Sequence, residues 1–243
     1  GIPLSNLPRT FREAVVFTRQ LNIIYLWIDS LCIIQDSHSD WSEQSSQMST
    51  IYANSHITLA ASAAPDSGHG LFLGATPEYI STDLTALTHN NAHSGIQFRK
   101  KLPHGNPQDN PLMTRGWAFQ ELLLSPRVIY FCRNEVVWEC REHLTCECGA
   151  LSSPAALESL SKIHLAGQWH RFVEEYSRLR ITVQSDVLPA IAGVAAILGK
   201  RTDAGYIAGL WKENLVWDMC WMTREPEKAK RPNIYRAPSF SWA

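Results

Sequence analysis

The spacing of apolar residues predicts two amphipathic helices near the start of the chain. In residues 7–22 apolar side chains recur every three or four positions, Pro8 suits a first helical position, and Asn22 suits a left-handed helix stop. Residues 40–55 show a second helical pattern, which Asp40 is expected to cap. The apolar stripe of this second helix consists of Trp41, Met48, Ile51 and Tyr52.

Other apolar runs lack helical spacing and predict strands. Residues 23–34 are nearly continuous in apolar, aromatic and β-branched side chains, which is typical of a parallel strand covered on both faces. Asp29 interrupts this run near its end. Residues 56–63 predict a further strand, and residues 127–141 predict a strand pair that turns at Arg133-Asn134.

A third predicted helix carries a charge where none is expected. Residues 117–124 are apolar on nearly every side of a helix, which indicates burial. Glu121 lies in the middle of this segment, one turn after Trp117 and on the same face. Glu121 is therefore a candidate functional residue. The alternative is a buried ion pair with Arg115 or Arg127, because buried charges are usually paired.

The order of predicted elements indicates an α/β protein. Residues 75–113 are polar and predict an irregular excursion with a strand around residues 96–100. After about residue 150 the patterns are mostly helical. Strands alternating with helices, followed by helices alone, predict an α/β domain over residues 1–150 and a mostly helical extension over residues 151–243 that packs on it.

Composition narrows the possible partners. The 243 residues are 45% hydrophobic and 19% charged, with a formal net charge of −1, so no electrostatic argument favours nucleic acid or an anionic membrane as a partner. No apolar run reaches the roughly 18 residues of a membrane span, and the first residues lack a signal core, so we expect a cytoplasmic protein. Six cysteines at irregular spacing are expected to be reduced thiols.

Several phrases, taken in order, resemble the fungal heterokaryon-incompatibility domain over about residues 4–148. They are LPRTFREAVVFTRQL, YLWIDSLCIIQD, DWSEQSSQMSTIYANSHITLAASAA, GLF, RGWAFQELLLSPRVIYF and WEC. The later phrases DVLPAIAGVA, YIAGLW and FSWA are similar to the C-terminal extension common in that family. The chain as given begins after the Ser-Tyr-x-Trp-Gly strand that family members normally carry upstream.

This resemblance implies a role in the cell death that follows fusion of genetically unlike fungal cells. It also suggests a distant relation to Toll/interleukin-1-receptor-type domains, and thus a flavodoxin-like core with a parallel sheet. We therefore predict an effector that cleaves or binds NAD(P), which would be its substrate and not a resident cofactor. One alternative is a non-catalytic signalling module that forms a homo-oligomer or binds a partner signalling protein. Another is a fungal secondary-metabolism enzyme that reuses the scaffold.

The resemblance also assigns expected roles to site residues. In NAD-cleaving relatives a glutamate follows a tryptophan on a helix beside the pocket, and RGWAFQE resembles that arrangement, so Glu121 is the predicted catalytic residue. Asp29 is the second predicted catalytic residue, because open α/β sheets bind ligands at the ends of their strands; its alternative is a cap or an ion pair. The predicted ligand-binding residues are Arg115, Trp117, Trp27 and Gln120.

One cysteine-rich segment invites a zinc interpretation. Cys140, His143, Cys146 and Cys148 follow a C-x2-H-x2-C-x-C spacing, which differs from the paired C-x2-C arrangement of common structural zinc sites. Four ligands in so short a segment also demand a very tight loop. The sequence therefore predicts reduced thiols and no bound metal.

Overall fold

The computed structural model describes residues 1–83, 97–104, 109–154, 165–228 and 235–243. The α-helices are α1 Arg9–Gln20, α2 Asp29–Cys32, α3 His38–Ala53, α4 Gly116–Leu124, α5 Leu165–Tyr176, α6 Pro189–Thr202 and α7 Leu215–Asp218. The strands are β1 Thr58–Ala60, β2 Thr82–Asp83, β3 Gln97–Phe98, β4 Arg127–Phe131, β5 Val136–Cys140, β6 His143–Cys146, β7 Ser152–Pro154, β8 Tyr206–Ile207 and β9 Leu210–Trp211. Short 3-10 turns lie at Leu4–Asn6, Pro77–Tyr79, Pro111–Thr114, Gln184–Asp186, Lys212–Asn214 and Pro226–Lys228.

The largest sheet has the strand order β1-β4-β5-β6-β7. Strand β1 runs parallel to β4, with Thr58 opposite Val128, whereas β4, β5, β6 and β7 pair antiparallel with their neighbours. Short turns join these last strands, and short turns connect only antiparallel neighbours. The predicted α/β class is confirmed. A flavodoxin-like core is not confirmed, because the sheet contains a single parallel pair among the described residues.

The prediction of a strand over residues 23–34 is wrong. Residues 23–28 take part in no described strand pairing, and α2 begins at Asp29, whose carboxylate accepts the backbone N–H of Ser30 at 2.7 Å. Ile24 and Tyr25 are each 87% exposed, so the run is not covered on both faces. An apolar run shows only that a strand is possible; it does not show whether the backbone finds a partner.

The first two predicted helices are confirmed, with one change of cap. Helix α1 begins directly after Pro8, and Asn22 has the predicted left-handed backbone at φ 57°. At the start of α3 the side chain of Ser37, not that of Asp40, accepts a backbone N–H, which comes from Asp40 itself at 3.2 Å. The Asp40 carboxylate instead accepts the N–H of Ile34 at 2.7 Å.

The strand pair over residues 127–141 is confirmed as β4 and β5, and β3 falls within the strand predicted around residues 96–100. Of the predicted irregular excursion over 75–113, residues 84–96 and 105–108 lie outside the described residues. No helix in the described part of the chain is both long enough and apolar enough to cross a membrane.

Helix α4 lies between α3 and α6 and carries the main core. The 1% exposed Gln120 side chain accepts the backbone N–H of Gly193 at 2.7 Å, which fixes α4 against α6. Residues from both predicted domains share this core. Its buried members are Leu124, Trp169, Phe172, Tyr176, Ala190, Ile191, Val194, Ala195, Leu198 and Trp211. The domain boundary near residue 150 stays a prediction.

Gly193 permits the close approach of α6 to α3 and α4. A Cβ atom at this position would lie 2.3 Å from the Cβ of Ser49 and 2.5 Å from Oε1 of Gln120. Gly193→Ala is therefore expected to lower the free energy of unfolding by about 1–3 kcal/mol, the usual cost of overpacking a core. Urea denaturation of both proteins measures this loss.

The matched control is Gly167→Ala in α5, where no neighbouring atom lies within 4 Å of the new Cβ. Alanine has the higher helix propensity, so this variant is expected to gain up to about 1 kcal/mol. Equal changes in the two variants would contradict the steric role of Gly193.

Candidate functional site

Glu121 and Tyr52 meet where α3 packs against α4. Tyr52 lies in the last turn of α3 and its hydroxyl donates a hydrogen bond to the Glu121 carboxylate. The helical spacing that makes residues 117–124 apolar also turns the Glu121 carboxyl toward Tyr52 of α3, and the residue as a whole stays partly exposed. In the sequence Tyr52 stands out only as a member of the apolar stripe of α3, which gives no signal of its polar role.

Two further charged residues act on this pair. Asp29, at the start of α2, is close enough for its negative charge to raise the pKa of both Glu121 and Tyr52. Arg115, directly before α4, acts on both in the opposite direction. The structure thus brings Asp29, Arg115 and Glu121 together and adds Tyr52. We call these four residues the Glu121 cluster.

Burial dominates the chemistry of the Glu121 carboxyl. Burial, reinforced by the charge of Asp29, raises the pKa of Glu121 from 4.5 to about 7, while the Tyr52 hydrogen bond and Arg115 oppose the rise. Burial and the neighbouring carboxylates also raise the pKa of Tyr52 beyond its usual range, so the phenol stays a neutral donor. At neutral pH the Glu121 carboxyl is consequently divided between its protonated and ionised forms.

The alternative of a buried ion pair for Glu121 is not found among the described residues. No described arginine or lysine nitrogen lies within 4.0 Å of its carboxylate. Arg127 donates instead to the carbonyl of His56 at 3.0 Å, on the exposed side of β4. Arg115 is itself exposed. The carboxylate therefore depends on the Tyr52 hydroxyl and on longer-range attraction to Arg115.

The two tryptophans predicted to bind a ligand have different neighbours. The Trp27 ring meets the Tyr52 ring edge-on with centroids 5.6 Å apart. Trp117 meets Trp41 edge-on at 6.4 Å, and its indole N–H donates to the Asp186 carboxylate at 3.2 Å. Trp27 thus contacts the cluster through Tyr52, whereas Trp117 links α4 to α3 and to the C-terminal part of the chain.

Gln120 is not brought to the Glu121 cluster. Its side chain is buried against α6, where it accepts the N–H of Gly193. Consecutive helical residues point about 100° apart, so neighbours in the sequence face different partners. The role that the structure gives Gln120 is the attachment of α4 to α6.

A cavity of about 340 Å³ contains no member of the Glu121 cluster. It lies between α4 and the sheet, where its lining includes Leu122 and Glu139. The Tyr130 hydroxyl, which also lines it, donates a short hydrogen bond to Glu139. Any ligand of the Glu121 cluster would therefore bind outside this cavity.

The fold places the residues of the cysteine-rich segment in different locations. Cys146 and Cys148 approach each other, with their Sγ atoms 3.1 Å apart, and both lie beside His104. Cys140 lines the 340 Å³ cavity and His143 is exposed. The expectation that these cysteines hold no metal is not tested by the structure.

Helices and a mixed sheet with one described parallel pair define an α/β protein whose candidate site lies between α2, α3 and α4. The family model described as "Heterokaryon incompatibility protein (HET)" matches residues 1–121, a segment that contains all four residues of the Glu121 cluster. Residues 1–121 therefore belong to this heterokaryon-incompatibility family. No curated protein and no solved structure matches the chain. The expected similarity to Toll/interleukin-1-receptor-type domains is not confirmed.

Ionisation of Glu121 is expected to destabilise the folded protein. Between pH 4.5 and about 7 the folded chain holds a proton that the unfolded chain has released, so the free energy of unfolding falls as pH rises through this window. The loss amounts to roughly 3 kcal/mol and persists above the window. Glu121→Gln is expected to remove this loss, and urea unfolding at about pH 5 and about pH 8 measures it.

The matched control is Glu43→Gln, which neutralises an exposed glutamate on α3. It should leave the pH dependence of unfolding unchanged. A Glu121→Gln protein less stable than the wild type at alkaline pH would instead indicate that the carboxylate is stabilised by a cation.

The charges around Glu121 are expected to move its pKa in opposite directions. Asp29→Asn removes a repelling charge and should lower the pKa of Glu121 below about 7, whereas Arg115→Gln removes an attracting charge and should raise it. Infrared titration of the carboxyl stretch, assigned by comparison with Glu121→Gln, measures both shifts. Asp36→Asn, at an exposed neighbouring position, is the control. If neither shift occurs, the cluster is not electrostatically coupled.

Proposed function

We propose that the Glu121 cluster binds an NAD(P)-type dinucleotide and cleaves its nicotinamide–ribose bond. The observation that supports this most is a buried carboxyl with a pKa of about 7 that lies near a second carboxylate and an exposed arginine. A carboxyl that titrates near the working pH serves either as a charge or as a proton carrier. The resemblance of RGWAFQE to the helix of NAD-cleaving relatives agrees with this choice of substrate.

Glu121 would act on the sugar. When the bond between ribose C1 and the nicotinamide nitrogen breaks, its electron pair leaves with nicotinamide and positive charge develops on the ribose ring. An ionised carboxylate beside the ring stabilises that charge or orients a ribose hydroxyl. Water then adds its oxygen to C1, and its proton passes to the Glu121 carboxylate. Tyr52 keeps this carboxylate in position by its hydrogen bond.

Arg115 and Trp27 would hold the rest of the dinucleotide. The Arg115 guanidinium is exposed, and no described carboxylate lies within 4.0 Å of it, so its donors are available to a phosphate. The partly exposed Trp27 ring offers an aromatic surface for a base beside Tyr52. Asp29 would hold the pKa of Glu121 high and accept a ribose hydroxyl.

The second candidate function is a non-catalytic module that assembles with further copies of the chain. Ile24 and Tyr25 favour it, because two adjacent large apolar side chains that are each 87% exposed are unusual on a monomer. Such a module would show concentration-dependent association without turnover.

Incubation of the purified protein with NAD, followed by chromatography of released nicotinamide, tests the proposal. The wild type is expected to release nicotinamide, and Glu121→Gln is expected to lose at least about 100-fold in rate, the usual range for a lost acid–base group. Tyr52→Phe should retain activity with an altered pH profile, because the hydroxyl acts through Glu121.

Glu43→Gln is the control for a neutralised glutamate on the same surface and should keep full activity. Equal turnover by the wild type and Glu121→Gln would overturn the catalytic role. A folded wild type that releases no nicotinamide and associates as its concentration rises would favour the assembly module.

A further inference from the structure

A tight turn places two thiols side by side at the end of β6. The backbone N–H of Gly149 bonds to the carbonyl of Cys146 at 3.0 Å, and Gly149 adopts the left-handed backbone at φ 73°. This turn brings the Sγ atoms of Cys146 and Cys148 to 3.1 Å from each other. The sulfurs accept backbone N–H groups from Leu151 at 3.2 Å and from Ala150 at 3.4 Å.

Two residues from distant parts of the sequence complete the group. His104 Nε2 lies 3.1 Å from the Sγ of Cys148 and 3.6 Å from that of Cys146. It also lies 2.7 Å from Oε1 of Glu135, at the turn between β4 and β5. The other carboxylate oxygen, Oε2, accepts the backbone N–H of Cys148 at 3.3 Å, which holds Glu135 in place. The four donor atoms all lie within 4.8 Å of one another.

We propose that His104, Glu135, Cys146 and Cys148, here called the Cys146 cluster, form a structural zinc site. A tetrahedral zinc ion with bonds of about 2.0–2.3 Å separates its donors by roughly 3.3–3.8 Å. The donor atoms of the four residues lie between 2.7 Å and 4.8 Å from one another, a range that includes these separations. Two sulfurs, one imidazole nitrogen and one carboxylate oxygen suit zinc and disfavour magnesium or calcium, which bind oxygen ligands.

The burial of the cluster agrees with a closed structural site. The side chains of His104 and Glu135 are only 15% and 7% exposed. Four protein donors leave no coordination position for a substrate, in contrast to catalytic zinc sites with three protein ligands. The site is separate from the Glu121 cluster and does not depend on the proposed function.

The fold also explains why the sequence spacing pointed to other ligands. His143 and Cys146 are three positions apart on one strand, so their side chains point to opposite faces of the sheet. Cys140 lies at the far end of β5, where it lines the 340 Å³ cavity. The objection that four ligands need a very tight loop therefore disappears, because two ligands come from elsewhere in the chain.

A metal at this point would join three segments of the chain. His104 and Cys148 are 44 residues apart, and Glu135 belongs to a different turn from either cysteine. An ion bound to all four fixes the backbone around His104 against the sheet, and its binding free energy contributes directly to folding. Removal of the metal should accordingly loosen this segment first.

Elemental analysis of the full chain, purified without chelator and dialysed, tests the site. About one zinc per chain is expected. Cys146→Ser and Cys148→Ser should each reduce bound zinc at least about 10-fold, and His104→Ala should do the same, since each removes a direct ligand. Cobalt substitution should give the thiolate-to-cobalt absorption of a tetrahedral site, which the cysteine variants lose.

Cys140→Ser and His143→Ala are the matched controls, because the sequence spacing includes them and the fold excludes them; both should keep full zinc. Alkylation of the wild-type protein provides a second test that does not depend on the folding of any variant. Addition of a chelator should increase the alkylation of Cys146 and Cys148. Any of three results would overturn the proposal: zinc far below one per chain, zinc retained in the cysteine variants, or a disulfide between Cys146 and Cys148 in freshly purified protein. One iron or copper per chain would overturn the assignment to zinc.

Discussion

The attachment of α4 to α6 determines the arrangement of the whole molecule. The buried side-chain amide of Gln120 accepts a hydrogen bond from the backbone N–H of Gly193. The absence of a side chain at Gly193 lets the two helices come that close. Because successive residues of a helix point about 100° apart, this contact also sets the direction of Glu121. The carboxyl is turned toward Tyr52, and its pKa is raised mainly by burial and further by the charge of Asp29. The contact between Gln120 and Gly193 thus influences both the packing of the core and the pKa of Glu121.

Much of the fold could be predicted wherever the spacing of apolar residues shows that one face of a helix or strand is buried. The stripes of α1 and α3 and the strand pair around Arg133-Asn134 follow from side chains that alternate between core and solvent. Residues 23–34 could not be predicted in the same way, because a continuous apolar run has no period. Whether it becomes a strand depends on a backbone partner elsewhere, and Asp29 instead starts a helical turn.

The residues of the candidate site also differ in whether the sequence could reveal them. Glu121 could be found because a charge inside an apolar helix conflicts with its surroundings, and conflicts of this kind concentrate at functional positions. Tyr52 could not be found in this way, because a tyrosine is an ordinary member of an apolar helix stripe. The grouping of Cys146 and Cys148 with His104 is a tertiary juxtaposition that no local spacing encodes. Proximity in the sequence was misleading as well, because it linked His143 to Cys146 across opposite faces of a strand.

The long separations within the core bear on how the chain is made. Gly193 and Gln120 are 73 residues apart, and Thr58 of β1 bonds to Ser125 across 67 residues. Contacts of this kind require closure of long loops before burial can compensate the lost entropy, which slows folding. During synthesis the apolar helix α4 leaves the ribosome well before α6 exists to cover it. The growing chain must therefore pass through a stage that exposes a largely apolar helix, and at that stage a chaperone has most to protect.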